Sequence, residues 1–351
     1  MGFITSLLVL SLLVFFHELG HFLVARYFGV KVETFSVGFG NKIFKKHYKG
    51  TEYCISSIPL GGYVKMKGQD DLDPKKESFD SDSYNSKTPL QKIGILLAGP
   101  FANFIVAFFL FIIIGFLGVQ KTAPVIGQVV ENSPAQNAGL IANDKILAIN
   151  GAKIEFWMDL SSYIKESYGS LLFTIERDGK VTNLKVSPKV NETKNIFGES
   201  VKRRLVGIAP SNQSITKNYY GLDAISFGFT QTIESSKMIF LGVIKLIEGV
   251  ISPTEVGGVI SIFQVTSKAS EVGIVALLSL TALISVNLGV LNLLPIPALD
   301  GGHIIFNLYE FITRKKASMK IVYKLTILGW IILLALMVLG VYNDINRLIS
   351  G

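Results

Sequence analysis

The sequence predicts an α-helical integral membrane protein with about four transmembrane helices and an inserted β-rich domain. Three observations lead to this fold class. The 351 residues are 49% hydrophobic and only 17% charged, with a mean hydropathy of +0.46, which is too apolar for an ordinary soluble domain. The apolar residues are concentrated in four long runs. A long stretch between the second and third runs instead carries short apolar segments separated by turn residues.

The four apolar runs cover roughly 3–28, 93–119, 272–295 and 325–341. Each approaches or exceeds the ~20 residues that a helix needs to cross a ~30 Å hydrocarbon core, and the fourth run is the shortest. Residues 1–16 could be taken for a signal peptide, but the segment has no basic n-region and no small-residue cleavage site. We therefore expect the first run to be a helix of the mature protein.

Basic residues near the ends of these runs predict the orientation in the membrane. The stretch at and after the end of the first run carries six of them: Arg26, Lys31, Lys42, Lys45, Lys46 and Lys49. The short loop between the third and fourth runs carries Arg314, Lys315, Lys316 and Lys320. The positive-inside rule places both loops in the cytoplasm, so the segment 120–271 and both termini lie outside. The formal charge of +8 is spread along the chain, and we predict membrane lipid rather than nucleic acid as its partner.

The chain between the runs divides into recognisable parts. The segment 120–192 predicts a compact β-rich domain, in which "ERDGKVTNLKV" forms a hairpin through Asp178-Gly179. The segment 193–271 predicts a connector and, over 220–251, a helix on the outer membrane surface. The two parts of the membrane core are then 1–119 and 272–351. The polar segment 70–87 predicts a mobile loop.

The first apolar run contains the motif HELGH at residues 17–21. On a helix, His17 and His21 lie one turn apart on the same face and can bind one metal ion, and Glu18 beside them can take a proton from a metal-bound water. Nothing else offsets the desolvation of such a cluster inside a bilayer, where ionisable residues are functional by default. The motif therefore predicts a metal site, and the ligand types indicate Zn²⁺.

A third ligand is expected near the end of the third run, which reads "NLLPIPALDGGH". Pro295 and Pro297 cannot continue a helix, and non-helical backbone at membrane depth is tolerated only when it is buried in protein or faces water. Asp300 follows directly and can be a ligand, although an Asp-Gly turn or a helix N-cap explains it as well. His303 is a second candidate, and the single cysteine, Cys54, excludes a cysteine-based zinc site.

The predicted topology brings the two motifs to the same depth. His17 is fourteen residues beyond residue 3, which corresponds to about 21 Å along a helix and places it toward the cytoplasmic side. The third run also crosses from outside to inside, so Asp300 emerges at the same leaflet.

HELGH together with "NLLPIPALDGG" resembles the site-2 protease family of intramembrane zinc metalloproteases, whose hallmarks are HExxH and NxxPxPxLDG. "AGPFAN" (98–103) and "VGFG" (37–40) extend the likeness. The resemblance implies zinc ligands His17, His21 and Asp300 with Glu18 as general base. It also implies that Asn292 helps to hold the substrate backbone near the metal. The residues that the resemblance implies for substrate binding are Asn292, Pro295, Pro297, Gly38 and Gly40.

Two further parts of the chain resemble this family. "SVGFGNKIF" resembles its membrane-associated β-hairpin, in which 35–45 would present an edge strand to an extended substrate. Gly38 and Gly40 suit such close approach, although they can equally be turn glycines. "SPAQNAGLIANDKILAINGAKI" resembles a PDZ module, and the length between the second and third runs accommodates one module.

The function implied is hydrolysis of peptide bonds in single-span membrane proteins of the anti-sigma-factor or signal-peptide-remnant class. The location implied is the bacterial inner membrane, with the PDZ domain outside and the active site toward the cytoplasm. A non-catalytic PDZ scaffold with a vestigial metal site is an alternative that the retained Glu18 argues against. A metal transporter is another, but the second and fourth runs contain no acidic residue or histidine.

Overall fold

The structure is a computed structural model that describes residues 2–69 and 78–350, with only the backbone described for Pro59 and Leu60. The helices in these residues are Gly2–Tyr27 (α1), Pro89–Leu117 (α2), Pro134–Asn137 (α3), Trp157–Glu166 (α4), Gly221–Ile247 (α5), Val259–Val272 (α6), Ile274–Asn292 (α7), Asp300–Thr313 (α8) and Met319–Ser350 (α9). The strands are Val32–Tyr48 (β1), Thr51–Met66 (β2), Val119–Thr122 (β3), Ile126–Val129 (β4), Lys145–Ile149 (β5), Ala152–Lys153 (β6), Leu171–Arg177 (β7), Lys180–Val186 (β8), Lys189–Lys194 (β9), Ser200–Leu205 (β10), Ile208–Pro210 (β11) and Ser214–Lys217 (β12). The chain forms two compact units, one of Met1–Ile114 with Gly221–Gly351 and one of Gly115–Tyr220.

The four predicted spans are confirmed as helices. In the part of the chain that the structure describes, α1, α2, α7 and α9 are the four helices long and apolar enough to cross a membrane. The fourth helix is longer than the predicted 325–341, because α9 has 32 residues and continues through polar positions at both ends. A helix also covers most of the predicted surface segment 220–251, as α5, and it is not among the four candidate spans.

Small residues bring the helices of the first unit close together. A Cβ on Gly20 of α1 would lie 2.2 Å from the carbonyl oxygen of Ala98 on α2, so the two backbones touch. Further along α2, the hydroxyl of Ser285 in α7 donates a hydrogen bond to the carbonyl oxygen of Asn103 at 2.8 Å. Helix α2 therefore contacts both of the helices that lead to the predicted metal ligands.

Helix α6 is an element that the sequence analysis missed, since 193–271 was assigned to a connector and one surface helix. It packs along α1, where Phe3 and Phe263 stack with ring centroids 4.9 Å apart. Its first turn is held by Asp344 of α9, which accepts hydrogen bonds from the backbone N–H groups of Gly258 and Ser261, both at 3.0 Å. Its 14 residues mix apolar side chains with Gln, Ser, Thr and Lys, so no long apolar run marks it in the sequence.

Strands β1 and β2 form a bent hairpin in the predicted region. Residues 34–37 pair with 62–65 on one side and with 52–55 on the other, and 42–47 pair with 52–56. The hairpin 35–45 was expected to present an edge strand, but its first residues, 35–37, are paired on both sides and do not form that edge. Within this sheet, the outer segments are 62–65 and 42–47, each of which is paired on one side among the described residues. Gly62 lies against α1, since its Cβ would be 3.3 Å from Cγ of Glu18.

The second unit, Gly115–Tyr220, is built on a four-stranded sheet in the order β6-β5-β7-β8. The predicted hairpin through Asp178-Gly179 is confirmed, and these residues have the positive φ angles, 49° and 75°, of a two-residue turn. Inward-facing aliphatic side chains and Phe173 form a buried core beneath the sheet. The unit extends past the predicted boundary at 192, because β11 pairs with β4 and β12 pairs with β3.

The predicted mobile loop 70–87 lies partly outside the described residues, which resume at 78. Its second half is anchored rather than free. The ammonium group of Lys67 lies 2.8 Å from Asp80 Oδ2 and 2.6 Å from Asp82 Oδ1. Hydrogen bonds to these carboxylates raise the pKa of Lys67, and the same bonds lower the pKa values of Asp80 and Asp82.

Candidate metal centre

Two helices bring three potential metal ligands to one point. His17 and His21 face each other one turn apart on α1, with their Nε2 atoms 3.2 Å apart. Asp300, the first residue of α8, places Oδ2 at 3.3 Å from His17 Nε2 and 3.4 Å from His21 Nε2. The three side chains are only 9–16% exposed. Residues about 280 positions apart in the sequence thus form one buried cluster, and of the two candidate third ligands it contains Asp300 and not His303.

The spacing of these atoms fits zinc. Two ligand atoms that each lie about 2.0–2.1 Å from a tetrahedral zinc ion are about 3.3–3.4 Å from each other, close to the observed 3.2–3.4 Å. Apart from the two ring nitrogens, the buried Oδ2 of Asp300 has no polar partner among the described residues. The donor set of two imidazoles and one carboxylate leaves a fourth position open, as in catalytic zinc sites.

Helix α2 supports both imidazoles from behind. His21 Nδ1 lies 2.8 Å from the carbonyl oxygen of Ile95. A carbonyl oxygen only accepts hydrogen bonds, so Nδ1 carries the proton and a neutral ring presents the lone pair of Nε2 to a metal. His17 Nδ1 lies 3.2 Å from the side-chain nitrogen of Asn103. Gly99 makes room for His21, since a Cβ there would be 2.2 Å from Nε2.

A cavity of about 200 Å³ adjoins the cluster. Glu18 and Asn292 both line it, as do Tyr63 and Val64 of strand β2. Strand β2 packs against Glu18 here, since a Cβ on Gly62 would be 3.3 Å from Cγ of Glu18. The cavity therefore holds the metal-ligand cluster, a carboxylate next to it and one edge of the hairpin sheet, which is what hydrolysis of an extended peptide requires.

The structure does not bring every predicted site residue to this cavity. Gly38 and Gly40 are absent from its lining and lie in the bend of β1, with φ angles of 91° and 86°. A Cβ on Gly38 would be 2.9 Å from the carbonyl oxygen of Ser56, so glycine there serves the hairpin itself. Pro295 and Pro297 lie in the non-helical segment between α7 and α8 and are likewise absent from the lining.

Sequence reasoning missed the supporting residues of α2. Ile95 acts through its backbone and Gly99 through the absence of a side chain, so neither carries a chemical signature. Asn103 ends the noted motif "AGPFAN", and its polar side chain inside an apolar run was the signal that could have identified it.

Four helices long and apolar enough to cross a membrane, together with a His-Glu-His-Asp cluster on α1 and α8, define a helical membrane protein with an HExxH-type hydrolytic metal centre. Comparison with known sequences agrees with this class. The chain belongs to peptidase family M50, because the model of that family matches residues 5–336.

Relatives named as zinc metalloproteases cover nearly the whole chain. One from Campylobacter jejuni is 48% identical over 348 residues, which is 99% of this chain and 94% of the relative. One from Helicobacter pylori strain J99 is 37% identical over 353 residues, which is 99% of this chain and 100% of the relative. The regulator of sigma-W protease RasP of Bacillus subtilis is 29% identical over 425 residues, covering 98% of each chain. The protein is thus a zinc-dependent metalloprotease.

Proposed function

We propose that this protein hydrolyses peptide bonds of single-span membrane proteins within or near the bilayer, as a step in regulated intramembrane proteolysis. The observation that carries the proposal is the shared cavity, in which Glu18 and the three ligand atoms lie beside the hairpin edge in the unit that also contains the four apolar helices. A peptide bond that reaches this cavity has come to a site built from transmembrane helices. The natural substrate of such a site is itself a membrane-embedded segment.

The three ligand residues and Glu18 have different roles in the proposed reaction. His17, His21 and Asp300 would hold the zinc ion, which when bound would supply Lewis acidity toward a carbonyl group and lower the pKa of water to near neutral. Glu18 accepts the proton of the attacking water and delivers it to the leaving amine. Glu18 lines the cavity beside the three ligand residues, so it is placed for this proton transfer.

Substrate recognition follows from the position of the hairpin edge. A helical substrate hides its backbone carbonyl groups in intrahelical hydrogen bonds and must unwind before it can be cut. Strand pairing with the 62–65 edge would stabilise the extended form next to the ligands. The side-chain amide of Asn292, at the end of α7, can bind one backbone group of that extended segment from the cavity wall.

The second unit and the orientation complete the proposal. We assign Gly115–Tyr220 as a single PDZ module that binds peptides by strand addition, placed outside the bacterial inner membrane, with the metal centre toward the cytoplasm. The basic loops support this orientation. The relative named as a regulator of sigma-W protease supports substrates of the anti-sigma-factor class, with signal-peptide remnants as the second class. A scaffold with a vestigial metal site is disfavoured because Glu18 is retained and lines the cavity.

The test is Glu18→Gln in the purified full-length protein, with cleavage of a model single-span substrate in proteoliposomes as readout. Loss of a general base lowers a rate about 10²–10⁴-fold, while the zinc content should stay at the wild-type value because the ligands are intact. The matched control is Glu131→Gln, at an exposed position in the second unit. Cleavage by Glu18→Gln at the wild-type rate would remove the enzymatic proposal.

A further inference from the structure

The molecule contains a buried asparagine behind the metal centre to which neither the family match nor the mechanism assigns a role. Asn103 lies in the interior of α2 and is 0% exposed. Its Nδ2 is 3.2 Å from Nδ1 of His17, on the side of the imidazole opposite the cluster. Its Oδ1 is buried and has no hydrogen-bond partner among the described residues.

The chemistry of His17 decides which end of the amide must face it. A neutral imidazole that binds a metal through Nε2 carries its proton on Nδ1, so the group opposite Nδ1 has to accept a hydrogen bond. The two ends of a side-chain amide have almost the same shape, and a half-turn exchanges Oδ1 with Nδ2. Since no described group donates to Oδ1, nothing holds that oxygen against turning toward His17.

The backbone at Asn103 is held by a hydrogen bond from a second helix, α7. Its carbonyl oxygen accepts the hydrogen bond from Ser285 of α7, and Ser285 is also 0% exposed. Helix α7 leads to the segment that ends at Asp300. One residue of α2 therefore contacts a histidine ligand through its side chain and, through its backbone, the helix that precedes the carboxylate ligand.

The two histidines are supported in parallel ways. The carbonyl oxygen of Ile95 accepts from His21 Nδ1, and Asn103 sits two helical turns further along α2 opposite His17 Nδ1. Partners of this kind hold the ring of a ligating histidine in the tautomer and direction that the metal requires. For His21 the acceptor is backbone and survives any substitution, whereas for His17 it is a side chain that can be removed.

We propose that Asn103 is a positioning residue that fixes the tautomer and ring orientation of His17, so that Nε2 faces the zinc ion. This inference rests on the zinc site and is independent of the proposed substrate class, so that its test measures metal binding rather than proteolysis.

The experiment compares Asn103→Ala and Asn103→Asp in the full-length protein in detergent micelles. Zinc affinity is measured by competition with a chelator, and the visible d–d absorption of the Co²⁺-substituted protein reports the ligand geometry. Loss of such a partner typically weakens metal binding about 10–100-fold, so we expect that loss and an altered Co²⁺ spectrum for Asn103→Ala. Asn103→Asp keeps an acceptor and should restore both to near the wild-type values.

The matched control is Asn343→Ala, which removes another buried asparagine side chain from a spanning helix. Asn343 is 4% exposed and bonds the carbonyl oxygens of Pro253 and Val256, so this variant should keep the zinc affinity. Wild-type affinity and spectrum for Asn103→Ala would overturn the proposal. So would equal losses in the control, or an aspartate variant no better than alanine. If Asn103→Ala is not monodisperse, Asn103→Leu fills the same space without an acceptor and takes its place under the same criteria.

Discussion

At the residue scale, the metal centre depends on a missing side chain in α2 as well as on the two histidine ligands of α1. Gly99 faces His21 so closely that any side chain there would enter the space of the imidazole ring. The ligands His17 and His21 could be predicted because their spacing has a chemical meaning on a helix. Gly99 and Ile95 could not, because a missing side chain and a backbone carbonyl look alike at every position of an apolar run.

We expect Gly99→Ala to weaken zinc binding at least about tenfold, because the new methyl group must displace the ring of His21 from its partner Ile95. The measurement is zinc content after dialysis against a chelator of graded strength, with cleavage of a single-span substrate as a second readout. Gly242→Ala is the matched control, since Gly242 lies inside α5 with open space around its Cβ position. Alanine there should be neutral or stabilise the helix by up to about 1 kcal/mol. Equal zinc binding by both variants would contradict this account of Gly99.

At the scale of elements, the hairpin could be predicted from the sequence only in part. Its existence could be predicted, since "SVGFGNKIF" combines β-forming residues with glycines. Its free edge could not, because the edge depends on how 34–37 are flanked by 52–55 and 62–65. Local sequence shows only which residues can form strands, and it does not show which strand ends up between two others. The edge beside Glu18 therefore comes from β2 rather than from the glycine-containing part of β1.

In the second unit, an ion pair joins β7 to the turn before β5. Arg177 contacts both carboxylate oxygens of Asp144, at 2.6 and 2.7 Å, and also the carbonyl oxygen of Gly139 at 2.8 Å. Asp144 is 0% exposed and also accepts from the backbone N–H of Ile141. Hydrogen bonding to Asp144 raises the pKa of Arg177 further above its usual value, so the guanidinium group stays charged. Removal of the arginine would leave a buried carboxylate short of donors.

We expect Arg177→Ala to lower the free energy of unfolding of this unit by about 1–3 kcal/mol, a range reduced because a third of the arginine side chain is exposed to solvent. Denaturant unfolding can be followed by fluorescence of Trp157, which packs against the core of the unit, in a background with Trp330→Phe. Arg203→Ala, at an exposed position of β10, should leave the transition within about 0.5 kcal/mol of wild type. Matching unfolding transitions for the two arginine variants would show that the Arg177–Asp144 pair contributes nothing to the free energy of unfolding of this unit.

At the scale of the whole molecule, length and apolar content were enough to predict four spans, because a bilayer imposes a fixed helix length on any chain that crosses it. They were not enough to predict α6, which contacts α1 without a continuous apolar run, or the full extent of α9. They also missed the C-terminal strands of the second unit, whose partners β3 and β4 lie about 80 residues or more earlier in the chain. In each case the missing information is a contact between distant segments, which composition does not record.

The orientation of the spans is the prediction that belongs to this scale, and the single cysteine makes it testable. In a Cys54→Ser background, Lys46→Cys places a thiol on the basic hairpin and Lys185→Cys places one on β8, and both positions are exposed. Lys185→Cys should react with a membrane-impermeant maleimide in intact spheroplasts. Lys46→Cys should react only after the membrane is permeabilised, because the positive-inside rule predicts that the basic residues after α1 lie on the cytoplasmic side. Equal labelling of both thiols in intact spheroplasts would contradict this topology. With the hairpin in the cytoplasm, the proposed membrane-embedded substrate would have to reach the metal centre from the half of the bilayer nearer the cytoplasm.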